Sequence, residues 1–338
     1  MSVHEYTPAA EDLRFTFGGA AAPVARLRSG DVVSTVTEDC FGGAVRSVED
    51  LPSRVCAPGR LNPVTGPFFV EDAEPGDTLA VHVLSMVPAR PVAVSSTFPH
   101  FGALTSTAHT ATLQPPLEER VWLYEIDAPA GLVRYRARRS PFMVDLPLAP
   151  MHGTIGVAPA GGEARSSITC DAHGGNMDTP EVRPGATVYL GVNVPGAMLG
   201  LGDGHARQGA GEVAGVAVEA AMHTVFAVEV IKGVATPWPR IESDTTVMSV
   251  GCARPLEDAF RISQHDLVTW TADLTGLDTL DAYQLVAQAG TALVGNVCDP
   301  NYTMLAALPK HLLPDATTVY GGVHQRLRAV PVPAPVVG

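Results

Sequence analysis

The sequence predicts a β-rich α+β fold made of two β-sandwich-like halves with few short helices. Three observations carry that reading. The 33 glycines and 29 prolines among 338 residues suit short strands joined by tight turns. Apolar residues alternate with polar ones over several segments, the pattern of half-buried strands. One supersecondary unit also occurs twice, which suggests a duplication.

Taken in order, Asp31 to Thr37 reads as a strand that runs into a glycine turn at Gly42 and Gly43. Residues 66 to 87 hold a Pro-Gly turn at Pro75 and Gly76, followed by an alternating strand. Residues 181 to 194 repeat that order, with Glu181, Pro184, Gly185, Thr187 and a second alternating strand. From Gly215 to Ile231 a single long strand is expected. It would place Val216, Val218, Ala220, Met222, Phe226 and Val228 on one side, and Glu219, His223 and Glu229 on the other.

Two helices are expected, a short one over Leu256 to Ser263 and a clearer one over Thr279 to Gly295, capped by Asp278 or Thr279. The organisation is an N-terminal β-rich half (1–145), a C-terminal β-rich half (146–330) carrying most of the site loops, and an extended Pro- and Val-rich tail (331–338). The alternative organisation is one intimately packed domain, since no low-complexity linker separates the halves.

The formal charge of −13 disfavours nucleic acid and anionic membrane as partners and suits a small neutral or cationic ligand. No stretch approaches the ~18 apolar residues of a membrane span, and the start of the chain lacks the features of a signal peptide, so a cytoplasmic location is expected. A homo-oligomer, a dimer, is the expected assembly. The five cysteines (Cys40, Cys56, Cys170, Cys252, Cys298) form no C-x-x-C pair and read mostly as small buried hydrophobes.

The densest chemical run is Gly202 to Glu212, GDGHARQGAGE, which sets two carboxylates, an imidazole and a carboxamide among four glycines. Each glycine adds ordering entropy without burying surface, so the run reads as a catalytic or metal-site loop rather than core. Asp203 and His205 are two apart, so an extended segment directs both to one face, where they can approach a common ion. Asp171 with His173, and Asn176 with Asp178, repeat the spacing. Imidazole with carboxylate suits zinc and its neighbours; oxygen ligands alone would suit calcium or magnesium. Asp and Asn beside glycine are also common turn formers, which is the alternative for Asp171 and Asn176.

Asp39 follows the first strand at a position from which loops present functional groups. Cys40 beside it has no nearby lysine or histidine in sequence to activate it, so Asp39 is the better candidate. His100 and His109 lie on a Gly/Thr/Ser-rich stretch that reads as a pocket cover or a surface loop. The signatures G-x-x-x-x-G-K-[ST], H-E-x-x-H and G-x-S-x-G are missing.

Five blocks together resemble the acetamidase/formamidase family: NPVTGP at 62–67, VEDAEPGDTL at 70–79, GTIGVAP at 153–159, GGNMD at 174–178 and GDGHARQGAGE at 202–212. They occur in the family's order. The resemblance implies a two-part β-rich fold, hydrolysis of short-chain amides to carboxylate and ammonia, and a bound divalent metal. Position by position it falls on Asn176, Asp178, Asp203, His205 and Glu212. Ala210 stands where an acidic residue is expected, and Met151 with His152 replaces a more apolar pair.

The expectation is therefore a metal-dependent amidohydrolase for a small amide of the formamide or acetamide kind. Asp203, His205, Asp178 and Asp39 are the candidate metal ligands, zinc being favoured over calcium. Glu212 is the proton carrier, with His205 beside it in the catalytic set. Gln208, Asn176 and His152 are the candidate substrate contacts, Gln208 alternatively supporting a ligand. Two other readings are a β-rich metalloenzyme of different chemistry, such as a cupin-type oxygenase, and a non-catalytic calcium-binding protein.

Overall fold

The computed structural model describes residues 1–57, 59–104 and 117–333. Among these, two large sheets hold nearly all of the strands. The first has the strand order Val3–Tyr6, Val32–Thr37, Met222–Ile231, Thr78–Pro88, Thr187–Gly191, Arg240–Glu242, Thr246–Ala253, Tyr302–Pro309 and Thr291–Val294. The second runs Met143–Pro147, Leu132–Arg136, Arg120–Asp127, Val92–Thr97, Val218–Glu219, Leu199–Arg207, Met151–Gly156 and Gly174–Asn176, with Val64–Val70 also paired to Leu199–Arg207. Each sheet takes strands from both sides of residue 145.

The β-rich expectation therefore holds, and side-chain alternation shows why the sheets face each other. In the first sheet Leu79, Val81, Val188, Leu190, Phe226 and Val228 point into a core shared with Phe68, Ile155, Leu199 and Leu201 of the second. The rings of Phe68 and Phe226 meet edge to face across it, with centroids 5.7 Å apart. Intervening residues of the first sheet are buried too. Ala80, Tyr189 and Ala227 meet Val323 and Leu327 of the helix Val323–Arg328, and Val247, Ala306 and Leu308 meet a pair of helices. The first sheet is thus covered on both faces, which explains its nearly continuous apolar runs.

The two Pro-Gly units lie side by side. Thr187–Gly191 pairs antiparallel with Thr78–Pro88, setting Leu190 against Leu79 and Gly191 against Thr78.

Three expectations need correction. The helix begun at Leu256 runs to Thr275, because Ala259, Ser263, Leu267 and Trp270 continue a buried stripe until Gly276 ends it in a left-handed cap (φ 72°). The helix capped by Asp278 stops at Ala289, and Thr291–Val294 is instead an edge strand on Tyr302–Pro309. The expected single strand from Gly215 to Ile231 is broken at Ala220 and Ala221. Val218–Glu219 pairs within the second sheet, whereas Met222–Ile231 crosses into the first. That corner carries Glu219 inward, where it is 1% exposed. No helix among the described residues is long and apolar enough to cross a membrane.

Candidate active site

The site is assembled on the strand Leu199–Arg207. His205 stands opposite Met151 on one neighbour and opposite Glu219 on the other. Gly202 stands opposite Thr154, which stands opposite Asn176 on the next strand. Sheet register thus brings together residues from segments scattered along the chain. Two loops complete the group, one carrying Glu212 and one carrying Cys298 and Asp299. The amide of Gly211 donates to the Gly295 carbonyl at 2.9 Å and ties these loops to each other.

The resulting cavity has a volume of about 240 Å³. Asp178, Asp203, Glu212, Glu219 and Asp299 form its acidic floor, and all five are buried. Above them stand Phe41, Leu61, Phe98, Phe101, Ile168 and Val216. Asn62, Asp178, Asp203 and Glu212 all have left-handed backbones, with φ of 51°, 42°, 58° and 44°. Such conformations in non-glycine residues cost roughly 1–3 kcal/mol each and concentrate at functional sites.

His205 is the hub. Its Nε2 lies 3.3 Å from Asp203 Oδ1, 3.4 Å from Glu219 Oε1 and 3.9 Å from Asp178 Oδ1. Its Nδ1 lies 3.0 Å from Gln208 Oε1. The Gln208 amide nitrogen donates to the Asp178 and Gly295 carbonyls at 2.6 and 3.1 Å, which fixes the amide orientation. Oε1 must therefore accept, so Nδ1 carries the proton and, in the neutral ring, Nε2 offers a lone pair to the carboxylates.

Asn176 is a strut between the acids. Its Oδ1 accepts from Asn62 at 2.9 Å and from Thr154, while its Nδ2 donates to Asp178 Oδ2 and, at 2.8 Å, to Asp299 Oδ2. Asn62 also donates to Asp203 Oδ2 at 2.8 Å. Glu219 accepts from the amides of Cys40 and Ala217 at 3.3 and 3.0 Å, and the Cys298 thiol faces Glu212 Oε2 at 3.7 Å.

Burial sets the ionisation of this floor. It raises the carboxyls of Asp178, Glu212 and Glu219 well above the ordinary range, with neighbouring acids adding to the effect. Burial likewise pushes Asp299 up to about 6. Burial also works to raise Asp203, but the adjacent His205 and its hydrogen bonds together hold that carboxyl below its usual value.

The residues fit a divalent cation. Among the described residues Asp178 Oδ1 is buried without a hydrogen bond, and so is Asp203 Oδ1 apart from the His205 ring. Ligand atoms of Asp178, His205 and Glu212 lie within 4.8 Å of one another, as do those of Cys40, Asp203 and Glu219. Gly153 faces the same point, since a Cβ there would collide with Asp178 Oδ1 and Asp203 Oδ2. An imidazole nitrogen among carboxylate oxygens is a donor set suited to zinc.

The sequence candidates are placed as follows. Asp178, Asp203, His205, Asn176, Gln208 and Glu212 converge. Asp39 does not join them. Its Oδ1 accepts from the amides of Phe41 and Gly43 at 2.9 and 3.0 Å, closing the turn that follows the strand. Glu219, not Asp39, stands beside the His205 ring. His152 lies outside the cavity wall, its Nδ1 on the Gly202 carbonyl and its Nε2 on Thr224 Oγ1, both at 2.9 Å. These bonds place it between the sheets rather than against a substrate. The amides of Gln208 and Asn176 both bond to protein groups, and Asn176 also lines the cavity. His173 packs against Phe17. Asp171 pairs with Arg165. His100 is exposed, and His109 lies outside the described residues.

Glu219, Asp299, Asn62, Thr154 and Cys298 were not singled out as site residues. Glu219 did leave a signal, an acid within the small apolar run VAVEAA.

Known proteins similar to this chain fall in one family. A model of the acetamidase/formamidase family matches residues 147–313. A putative formamidase of Schizosaccharomyces pombe is 27% identical over 233 residues, which is 55% of this chain and 56% of that protein, so the match spans just over half of the curated relative. The crystal structure of an acetamidase from Yersinia enterocolitica is 42% identical, with 93% of each chain covered and a TM-score of 0.87. An acetamidase from Bacillus halodurans is 32% identical, with 91% of this chain and 98% of that one covered and a TM-score of 0.81. With that identity held over nearly its whole length, the chain belongs to the acetamidase/formamidase family, whose members are hydrolases of amide C–N bonds.

Proposed function

We propose that this protein hydrolyses a small neutral amide to carboxylate and ammonia, and that Asp178, Asp203 and His205 hold a divalent cation, zinc being the best suited, with Glu219 beside them. The observation that carries the reading is His205 Nε2 facing three buried carboxylates beneath an apolar cavity. A cation there would supply Lewis acidity, polarising the amide carbonyl and making water a nucleophile near neutral pH.

The remaining steps fall to the chain. Phe41, Phe98 and Phe101 exclude bulk water from the acidic floor. Gln208 holds the His205 ring in the tautomer that leaves Nε2 free. Glu212 takes a proton from the attacking water as the C–O bond forms, and returns it to the amide nitrogen as the C–N bond breaks. Burial raises its carboxyl above the ordinary range, the direction that helps it carry the proton it later donates. The calcium-binding alternative predicts no turnover, and a cupin-type oxygenase would use iron.

Ammonia release from formamide, acetamide and larger amides, with and without chelator, combined with elemental analysis of the purified protein, tests this reading. Amide turnover that chelator abolishes and zinc restores is expected. Turnover indifferent to chelator, in protein free of metal, would overturn the metal assignment; iron without ammonia release would overturn the hydrolase assignment.

A further inference from the structure

We infer that the substrate is a neutral amide whose acyl group is apolar and larger than acetyl, a short branched one. This rests on the amide-hydrolase reading above and concerns what the upper part of the same cavity receives.

Size is the first argument. At ~30 Å³ for a water-sized group, a cavity of about 240 Å³ takes about eight such groups, and acetamide with the proposed cation and one water would fill about three quarters of it. The unfilled quarter is not polar space. It is bounded by Phe41, Leu61, Phe98, Phe101, Ile168 and Val216, so water left there would face apolar walls.

Those walls are built rather than incidental. Phe41 and Val216 are buried in a core cluster with Cys40, Val45, Val94 and Val121, against which Leu61 and Phe98 pack. Phe41 and Phe98 stack with centroids 6.4 Å apart, and Phe98 meets Phe101 edge to face at the same separation. Close-packed walls of this kind do not collapse around a smaller ligand. The aromatic turn is also fastened to the loop of Glu212, since the Ala103 amide donates to the Val213 carbonyl at 2.9 Å. A Cβ on Gly215 would meet the Phe101 ring at 2.6 Å. An acyl group held by Phe98 and Phe101 is therefore positioned relative to the proton carrier.

Charge is the second argument. No lysine or arginine is among the described residues lining the cavity, whereas five carboxylates are. Away from the proposed cation, an acyl group bearing a carboxylate would meet apolar walls and no basic side chain, so the apolar, uncharged acyl group is the one that fits.

The test is kcat/KM of the metal-replete protein for formamide, acetamide, isobutyramide, benzamide and the anionic amide succinamate. Burial of one methylene is worth about fourfold. Isobutyramide should therefore exceed acetamide by at least about tenfold, with benzamide, too large for the space, below it and succinamate below acetamide. Val216→Phe, which fills the cavity, should reverse the order of isobutyramide and acetamide. Phe98→Ala should lower the isobutyramide-to-acetamide ratio. Acetamide equal to or better than isobutyramide in the parent enzyme would overturn the inference while leaving the amidase reading in place. Ammonia from none of the amides would overturn both.

Discussion

The carboxamide oxygen of Gln208 lies 3.0 Å from Nδ1 of His205, while the nitrogen of the same carboxamide is held by two backbone carbonyls. The amide cannot turn over without setting its NH₂ against the ring and its oxygen against those carbonyls. One residue therefore decides which imidazole nitrogen faces Asp203, Asp178 and Glu219. Gln208→Leu should leave the fold intact and weaken divalent-cation binding roughly 10–100-fold, the usual effect of losing the partner that orients a ligating histidine. Metal retained after dialysis against graded chelator measures it. Unchanged retention would show that the ring needs no such support.

Glu212→Gln separates proton transfer from cation binding. Asp178, Asp203 and His205 remain, so metal content should match the parent, whereas kcat should fall by about 10²–10⁴. Ammonia release beside elemental analysis reads both quantities. Parent-like turnover would remove Glu212 from the chemistry.

Gly153 lies on the strand Met151–Gly156 without a left-handed backbone, so alanine suits its local conformation. The obstacle is what its methyl group would meet, two carboxylate oxygens and, 2.9 Å away, His205 Cε1. Gly153→Ala should cost about 1–3 kcal/mol of stability, as other overpacked positions do, and should abolish cation retention. Thermal unfolding with and without zinc gives both values. A variant that keeps a zinc-dependent rise in Tm would place the cation elsewhere.

Acid should destabilise the fold partly through His82. Burial holds this imidazole down at about 4, the adjacent His324 adding to the effect, against an ordinary value of 6.5. Between those values the unfolded chain binds the proton and the folded chain does not. The His82 contribution is thus complete above pH 6.5 and is lost as pH falls toward about 4, by at most about 3 kcal/mol. The ring accepts from or donates to Thr187 Oγ1 at 2.8 Å, a bond that glutamine can replace. Urea midpoints of His82→Gln should change less between pH 7 and pH 4.5 than those of the parent. Equal changes would show that His82 makes no contribution to acid sensitivity.

Local pattern carried much of the fold. Alternation located the strands Val32–Thr37, Thr78–Pro88 and Thr187–Gly191, and Asp278 marked a helix start with its side chain on the amides of Leu280 and Asp281. Pattern failed where a strand changes sheets. Nothing in the alternation of Gly215 to Ile231 marks the corner at Ala220 and Ala221, because parity along a strand is the same whichever sheet receives it. The full length of the helix from Leu256 is hidden in the sequence because His265 and Asp266 interrupt its apolar stripe, and Asp266 is buried with Arg240 and Ser249 as its partners.

The sequence by itself determined a β-rich protein of the acetamidase/formamidase family, and it placed Asp203, His205 and Glu212 in one glycine-rich run. Only the tertiary structure decided their company. It admitted Glu219 through its register with His205 and Asp299 through the loop fastened to Gly211, and it turned Asp39 and His152 to other partners. Spacing along a chain fixes which residues share a face over a few positions. Which buried carboxylates meet depends on strand pairing between residues far apart in sequence, and that pairing is settled by the packing of the two sheets.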